Sequence, residues 1–247
     1  MARDAIVLQA RMGSRRLPGK VLADIAGRSL LGHCLWRLQA SGLPVIVATT
    51  TRREDDAVER EAGKYGADVY RGSDQDVLAR YVAAAAAHGV THVVRATADN
   101  PAVDLEAPVR VVTQLRRTHA DHVIECGLPH GAAVEAVLAS ALVRAAAETL
   151  DSYDREHVTP FVRRSPGFTA MSVMAPGRVR RPQLRLTVDT PEDLRRMRAL
   201  LAPFRTNPSP VPLAAIIARA DAFVEIAGSG ATGAETAAMA KADRQGA

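Results

Sequence analysis

Hydrophobic and polar positions along the chain fall into two alternating textures. Short runs rich in successive apolar residues at 5–9, 45–49, 69–70, 92–97 and 122–126 have strand character. Between them, residues 30–38, 55–65, 76–88 and 105–117 carry apolar side chains at helical spacing. A strand that is apolar at successive positions, such as Ala5-Ile6-Val7-Leu8, is buried on both faces, which requires helices on both sides of a largely parallel sheet. The predicted fold class is α/β: a three-layer α/β/α arrangement on a mostly parallel, Rossmann-like sheet.

After residue 127 the alternation loosens. A short apolar segment at 133–137 precedes a helix predicted over 141–150 and a mixed stretch to 173. A last strand is predicted at 184–188, leading into a helix that starts near Pro191, where the fixed φ of proline suits the first turn. From Asn207 the composition shifts to Pro, Ala and Gly, with helical spacing at 212–227 and the composition of a poorly ordered tail at 228–247. The expected organisation is a main domain over 1–206, a helical extension over 207–227 and the tail. The tail contains G-x-G-x-x-G, but too few residues follow it to build a dinucleotide-binding βαβ unit.

At 247 residues and 47% hydrophobic content the chain can bury one sizeable core. Its two cysteines, Cys34 and Cys126, lie in apolar stretches without metal or redox spacing and read as reduced core residues. The first ten residues lack the apolar run of a signal peptide, and no run approaches membrane-spanning length, so a soluble, cytoplasmic protein is expected. A net charge of +5 favours anionic partners. The arginines are dispersed and aromatic residues make up only 4%, which leaves little material for base stacking, so phosphorylated small molecules are expected over specific nucleic acid. His88, His92, His119, His122 and His130 show no zinc-ligand spacing.

The first strand opens directly into Ala10-Arg11-Met12-Gly13-Ser14-Arg15-Arg16-Leu17-Pro18-Gly19-Lys20. Ligands of open parallel sheets bind at the carboxyl ends of strands, which puts Gln9, Ala10 and this loop over the binding crevice. Small residues at Gly13, Ser14 and Gly19 admit phosphate oxygens to backbone N–H groups, and Arg11, Arg16 and Lys20 neutralise their charge, a chemistry suited to a triphosphate. Five residues, not four, separate Gly13 from Gly19, and Val21 stands where a Walker A loop has Ser or Thr. Two aspartates follow predicted strands: Asp99 after 92–97 and Asp189 after 184–188. A hard divalent cation takes one or two carboxylates plus substrate oxygens, although an aspartate ahead of a helix serves equally well as its cap. In the same way Ser73 or Asp74 reads as the cap of the helix at 76–88.

The Ala10 to Lys20 run resembles the A-R-x-x-S-x-R-L-P-x-K signature of the CMP-sugar synthetase superfamily. It is most similar to the SpsF-type cytidylyltransferases of spore-coat polysaccharide synthesis, and more distantly to the 3-deoxy-manno-octulosonate and acylneuraminate cytidylyltransferases. Ala10, Arg11, Ser14, Arg16, Leu17, Pro18 and Lys20 carry the match, with Arg15 at a variable position. Asp99 lies in a segment similar to the family's G-D-x-P, with Ala98 for glycine, and Asp189 in one similar to V-D-T-P-E-D-L. The resemblance implies that Asp99 and Asp189 hold a catalytic Mg²⁺ and act with Arg11, Arg16 and Lys20. Residues 71–80 are similar to G-S-x-x-D-V-L-x-R, which implies Ser73, Asp76 and Arg80 near the nucleotide, together with Thr97.

Arg155, Glu156 and His157 fall in a match to R-E-H-V-T-P, and Gly131 and Glu135 in a partial match to D-G-x-D-V-E, which implies an acceptor-binding role for these five. His130 and Ala133 stand where the family usually has acids, so the acceptor is expected to be atypical and more anionic than a neutral sugar. The resemblance spans residues 5–201 and implies a homodimer with a small acceptor-side and dimerisation subregion. The implied activity is Mg²⁺-dependent transfer of CMP from CTP to a small acidic or phosphorylated acceptor (sugar, sugar acid, polyol phosphate or phosphonate), with release of pyrophosphate. Another NTP acting on a sugar or cyclitol phosphate, and a noncatalytic nucleotide-binding protein, remain as alternatives.

Overall fold

Burial on both faces of the central strands organises the molecule. A computed structural model describes residues 3–228, so the expected tail, apart from Gly228, lies outside the described residues together with most of its G-x-G-x-x-G motif. The chain runs β1 (Asp4–Gln9), β2 (Asp24–Ile25), β3 (Arg28–Ser29), α1 (Leu30–Gln39), β4 (Val45–Thr50), α2 (Asp56–Lys64), β5 (Asp68–Gly72), α3 (Val77–Ala87) and β6 (His92–Thr97). It continues through α4 (Ala107–Thr118), β7 (His122–Cys126), β8 (Glu135–Leu138), α5 (Ala139–Glu148), α6 (Ser152–His157), α7 (Pro160–Arg164), β9 (Ala170–Met174), α8 (Pro191–Leu201) and α9 (Leu213–Gly228).

Seven strands form one sheet in the order β5-β4-β1-β6-β8-β7-β9. All neighbouring pairs are parallel except those of β8, which runs antiparallel to both β6 and β7. Along β1 the period of two sorts the side chains: Ile6 and Leu8 pack with Leu31, Leu35 and Leu115 on one face, Ala5 and Val7 with Leu78, Tyr81 and Leu142 on the other. The three-layer α/β/α architecture follows. A further apolar cluster joins Ile25 and Leu30 to Leu186, Val188, Leu194, Met197, Leu213 and Ile216, so the start of α9 packs on α8. No described helix is long and apolar enough to cross a membrane.

Three local expectations are corrected. The strand predicted at 184–188 is an extended segment outside the sheet, with one isolated bridge between Arg185 and His130. Its backbone pairs with two different loops in turn, through Leu186 N to His130 O (2.7 Å) and then Val188 N to Asp99 O (2.8 Å), so no continuous ladder forms. The cap of α3 is neither Ser73 nor Asp74 but Asp76, whose carboxylate accepts from Ala79 N at 2.9 Å while Ser73 Oγ accepts from Asp76 N. The mixed stretch before residue 173 resolves into α6, α7 and β9, elements too short for periodicity to define.

Tyr81 ties α3 to the central strands. Its fully buried hydroxyl lies 3.1 Å from Val7 O and 2.9 Å from Ala96 O, and burial pushes its pKa up to about 12, which keeps the donor proton in place at neutral pH. Tyr81→Phe leaves these carbonyls their sheet contacts but removes the bridge. It should cost about 1 kcal/mol in urea unfolding, with an unchanged denaturant slope.

Candidate active site

Parallel β1 has β4 on one side and β6 on the other, so their loops leave the sheet at a point where the strand order reverses. A cleft of about 540 Å³ opens there. The loop after β1 is held from below by Asp55, whose buried carboxylate accepts from Met12 N at 2.7 Å and from the Thr50 hydroxyl. The loop closes on itself through Ser14 N and Gly19 N, both donating to Met12 O, with Gly19 in the left-handed region at φ 69°.

Lys20 is the centre of the site. Its Nζ lies 3.5 Å from Asp99 Oδ2, 3.0 Å from Asp189 Oδ1 and 2.8 Å from Val188 O. Arg16 Nη2 adds a second cation at 2.8 Å from Asp189 Oδ1. The two carboxylates, remote in sequence, therefore converge on one small volume already fitted to a cation. Asp99 is oriented by the Thr97 hydroxyl at 2.6 Å, and Thr97 in turn accepts from Asn100 Nδ2 at 2.8 Å. Neither aspartate caps a helix: Thr190 and Asp193 form a reciprocal capping box for α8, which leaves the Asp189 side chain to the cleft.

Gly131 makes this approach possible. It has φ 92°, and a β-carbon there would stand 2.8 Å from Thr187 N and 2.9 Å from Leu186 C, the backbone that delivers Asp189. Gly131→Ala should displace that segment and weaken function more than any exposed alanine substitution, with a loss of about 1–3 kcal/mol in stability measured by urea unfolding.

Of the residues singled out in the sequence, Gln9, Ala10, Arg11, Gly13, Ser14, Arg16, Lys20, Arg80, Thr97, Asp99, Gly131, Glu156, His157 and Asp189 line this cleft. Ser73, Asp76, Glu135 and Arg155 do not. Arg155 and Asp76 are paired with each other (Nε to Oδ2, 2.9 Å), which locks α6 to the start of α3. Ser73 gives its carbonyl to Arg80 Nη1, fixing that buried guanidinium. Glu135 sits on β8, hydrogen-bonded to His122 Nε2 at 2.8 Å and to Arg95 Nη1 at 3.2 Å. Burial alone would raise its pKa, but the His122 bond and the Arg95 charge bring it down to about 2.

Arg95, Asn100 and Thr187, to which sequence reasoning assigned no role, also line the cleft, as does His130, marked in the sequence as a departure from the family's acid, and Arg185 lies beside it. Asn100 and His130 stand at positions of motif segments where the family residue is variable or different, and only three-dimensional proximity marks Arg95, Thr187 and Arg185. The cations on the cleft wall, Arg11, Arg15, Arg16, Lys20, Arg80 and Arg95, outnumber the acids Asp99, Glu156 and Asp189. Such a wall suits a polyanion bound together with a metal cation.

The mostly parallel seven-stranded sheet flanked by helices is the α/β nucleotidyltransferase fold. The chain belongs to the cytidylyltransferase family, whose model matches residues 5–215. The spore coat polysaccharide biosynthesis protein SpsF of Bacillus subtilis is 35% identical over 202 residues, covering 78% of this chain and 84% of its own. The 3-deoxy-manno-octulosonate cytidylyltransferase of Anaeromyxobacter dehalogenans is 27% identical over 238 residues, covering 80% of this chain and 97% of its own. Among solved structures, a cytidylyltransferase from Leptospira borgpetersenii superposes with a TM-score of 0.83 at 28% identity, covering 92% of this chain and 97% of that one. A CMP:2-keto-3-deoxy-manno-octonic acid synthetase complexed with CTP shares the fold, with a TM-score of 0.64 at 20% identity over 82% of this chain and 100% of that one.

Two carboxylates of the site contribute to acid stability. For Asp193, burial would raise the pKa, but backbone N–H donation from Asp189, the Arg185 guanidinium and Thr190 hold it at about 2. Asp189 is lowered as well: burial opposes this, and the hydrogen bond and charge of Lys20, with Arg16 and Arg185, outweigh it. A carboxylate with a depressed folded pKa contributes stability that is complete above its unfolded pKa near ~4 and is lost as pH falls through the folded value. The contribution of these two carboxylates to the unfolding free energy should therefore be level above about pH 5 and drop between about pH 4 and 2. Asp193→Asn should flatten that drop by about 2 kcal/mol in urea titrations taken across the range.

Proposed function

We propose that the protein transfers CMP from CTP to a small acidic or phosphorylated acceptor, with Mg²⁺, and releases pyrophosphate. The observation that carries this reading is the convergence of Asp99 and Asp189 on the Lys20 ammonium at the floor of a cation-rich cleft. Support also comes from the relatives: one is named for polysaccharide biosynthesis, one as a sugar-acid cytidylyltransferase, and one structure of the same fold was solved with CTP.

Asp99 and Asp189 are the residues that would hold the divalent cation. Two carboxylates match what Mg²⁺ takes from protein when phosphate oxygens and water complete its shell. When bound, the metal neutralises phosphate charge and lines up the oxygens around the α-phosphorus. The protein's own groups do the rest. Arg11, Arg16 and Lys20 bind the β- and γ-phosphates and hold the negative charge that gathers there as the bond from the α-phosphorus to the pyrophosphate oxygen breaks. An ionised acceptor oxygen attacks the α-phosphorus from the opposite side. Gly13, Ser14, Asn100, His130 and Thr187 line the same cleft. No side chain acts as a nucleophile; rate comes from positioning and electrostatics.

The assay is pyrophosphate release with each of the four NTPs, Mg²⁺ and a panel of sugar acids, sugar phosphates, polyol phosphates and phosphonates. Release specific to CTP is expected, with Lys20→Ala and Asp189→Asn each losing about 10²-fold or more in kcat while unfolding cooperatively like the wild type. A chain that binds CTP but releases no pyrophosphate with any acceptor would be a noncatalytic nucleotide binder. Full turnover by Lys20→Ala would remove the ammonium from the mechanism.

A further inference from the structure

Arg185 lies outside the recognised motifs, yet its guanidinium reaches three residues at once. Nη2 is 2.7 Å from Asp189 Oδ2, Nε is 3.4 Å from Asp193 Oδ1, and Nη1 is 3.0 Å from His130 Nδ1. Its backbone is pinned as well, since the residue forms the isolated bridge with His130. Asp193 is itself fixed by Asp189 N, Thr190 N and the Thr190 hydroxyl, all at 3.0–3.1 Å from Oδ2. Arg185 therefore joins a rigid helix start, a loop wall of the cleft and one edge of the Asp189 carboxylate.

The two oxygens of Asp189 are consequently divided. Oδ2 belongs to Arg185, whereas Oδ1 faces Lys20 Nζ at 3.0 Å and Arg16 Nη2 at 2.8 Å, on the cleft side. Lys20 and Arg16 have a second use as phosphate ligands; Arg185 is outside the cleft lining and has none. We infer that Arg185 is a positioning residue that clamps Asp189 by Oδ2, so that Oδ1 alone is presented to the divalent cation when Lys20 and Arg16 engage the triphosphate. A guanidinium is suited to this task because it never loses its proton and its donors are fixed in a plane. The inference rests on the reading of Asp99 and Asp189 as the metal-holding pair.

The test is metal binding in the full chain, independent of turnover. Mn²⁺ titrated by electron paramagnetic resonance into the CTP-bound protein should bind Arg185→Gln about tenfold or more weakly than wild type, the scale on which partners of metal ligands act. CTP affinity measured in EDTA should stay within about threefold, because Arg185 does not face the phosphates. Arg185→Lys keeps the charge but not the fork, and should fall between the two. Equal Mn²⁺ affinity in wild type and Arg185→Gln overturns the clamp. So does a parallel loss of metal-free CTP binding, the pattern expected of general damage. If the glutamine variant does not fold, the lysine variant decides by the same comparison. Failure of the wild type to bind Mn²⁺ with CTP would instead overturn the assignment of the aspartate pair.

Discussion

Two carboxylates that face one another across a half-buried cleft repel unless a cation stands between them, and here that cation is the ammonium of Lys20. Its side chain is 12% exposed and that of Asp189 is 13%, so the pair is shielded far more than a surface ion pair. The contact joins three separate parts of the chain: the loop after β1, the loop after β6 and the approach to α8. Removing the ammonium leaves Asp189 to Arg16 and Arg185 and takes from Asp99 the cation it shares with Asp189, so the link between the two carboxylates is lost. A volume that requires positive charge to be stable is also one that a divalent cation can occupy, provided Lys20 has an anion of its own to turn to.

The sheet places only half of this arrangement. Asp99 follows β6 directly, and β6 is fixed by its parallel pairing with β1, so its position derives from the core. Asp189 arrives on a segment that belongs to no sheet and is supported by backbone bonds to His130 and Asp99. Its placement therefore depends on details a sheet would not need: a glycine at 131 to let the chains touch, a capping box at Thr190 and Asp193 to start α8 without using Asp189, and the guanidinium of Arg185. Such a site is rigid because several weak constraints agree, not because one strong element carries it.

The legibility of these features in the sequence follows from what periodicity reports. Residues 5–9, 45–49, 92–97 and 122–126 stand out because strands in a sheet covered on both faces carry apolar residues at successive positions, and the structure places β1, β4, β6 and β7 there. The segment 184–188 has a similar texture, and its last three residues are buried, but burial does not reveal whether the neighbour is a strand or two loops. Among charged residues, position in a motif identified those of the loop after β1, whereas partners remained invisible. Asp76 and Arg155 both lie in motif-like segments, and the fold spends them on one another; Glu135 is committed to His122 and Arg95. Arg185 was hidden for the opposite reason, since it lies within an apolar run and its importance comes wholly from contacts across the chain.

The depth of the carboxylate partner separates the arginines that can serve a ligand from those that serve the fold. Arg164 is bound to Asp154, a carboxylate with no exposed surface that also accepts from the Thr149 hydroxyl, so drawing the guanidinium away would leave a buried charge short of its partner. Arg16 is 64% exposed, and Arg11 reaches Asp74 and Glu156 only at 3.9 and 3.7 Å. Exposed or stretched pairs of this kind are worth about 0–1 kcal/mol each, so a polyphosphate can displace them at little cost. The loop after β1 thus holds its cations near their working positions through contacts weak enough to be exchanged, while the anchors beneath it, Asp55 on Met12 N and Asp189 between Lys20 and Arg185, are the ones with strong geometry. Affinity for an anion and order of the loop are in this way assigned to different residues, which allows the first to be tuned without loss of the second.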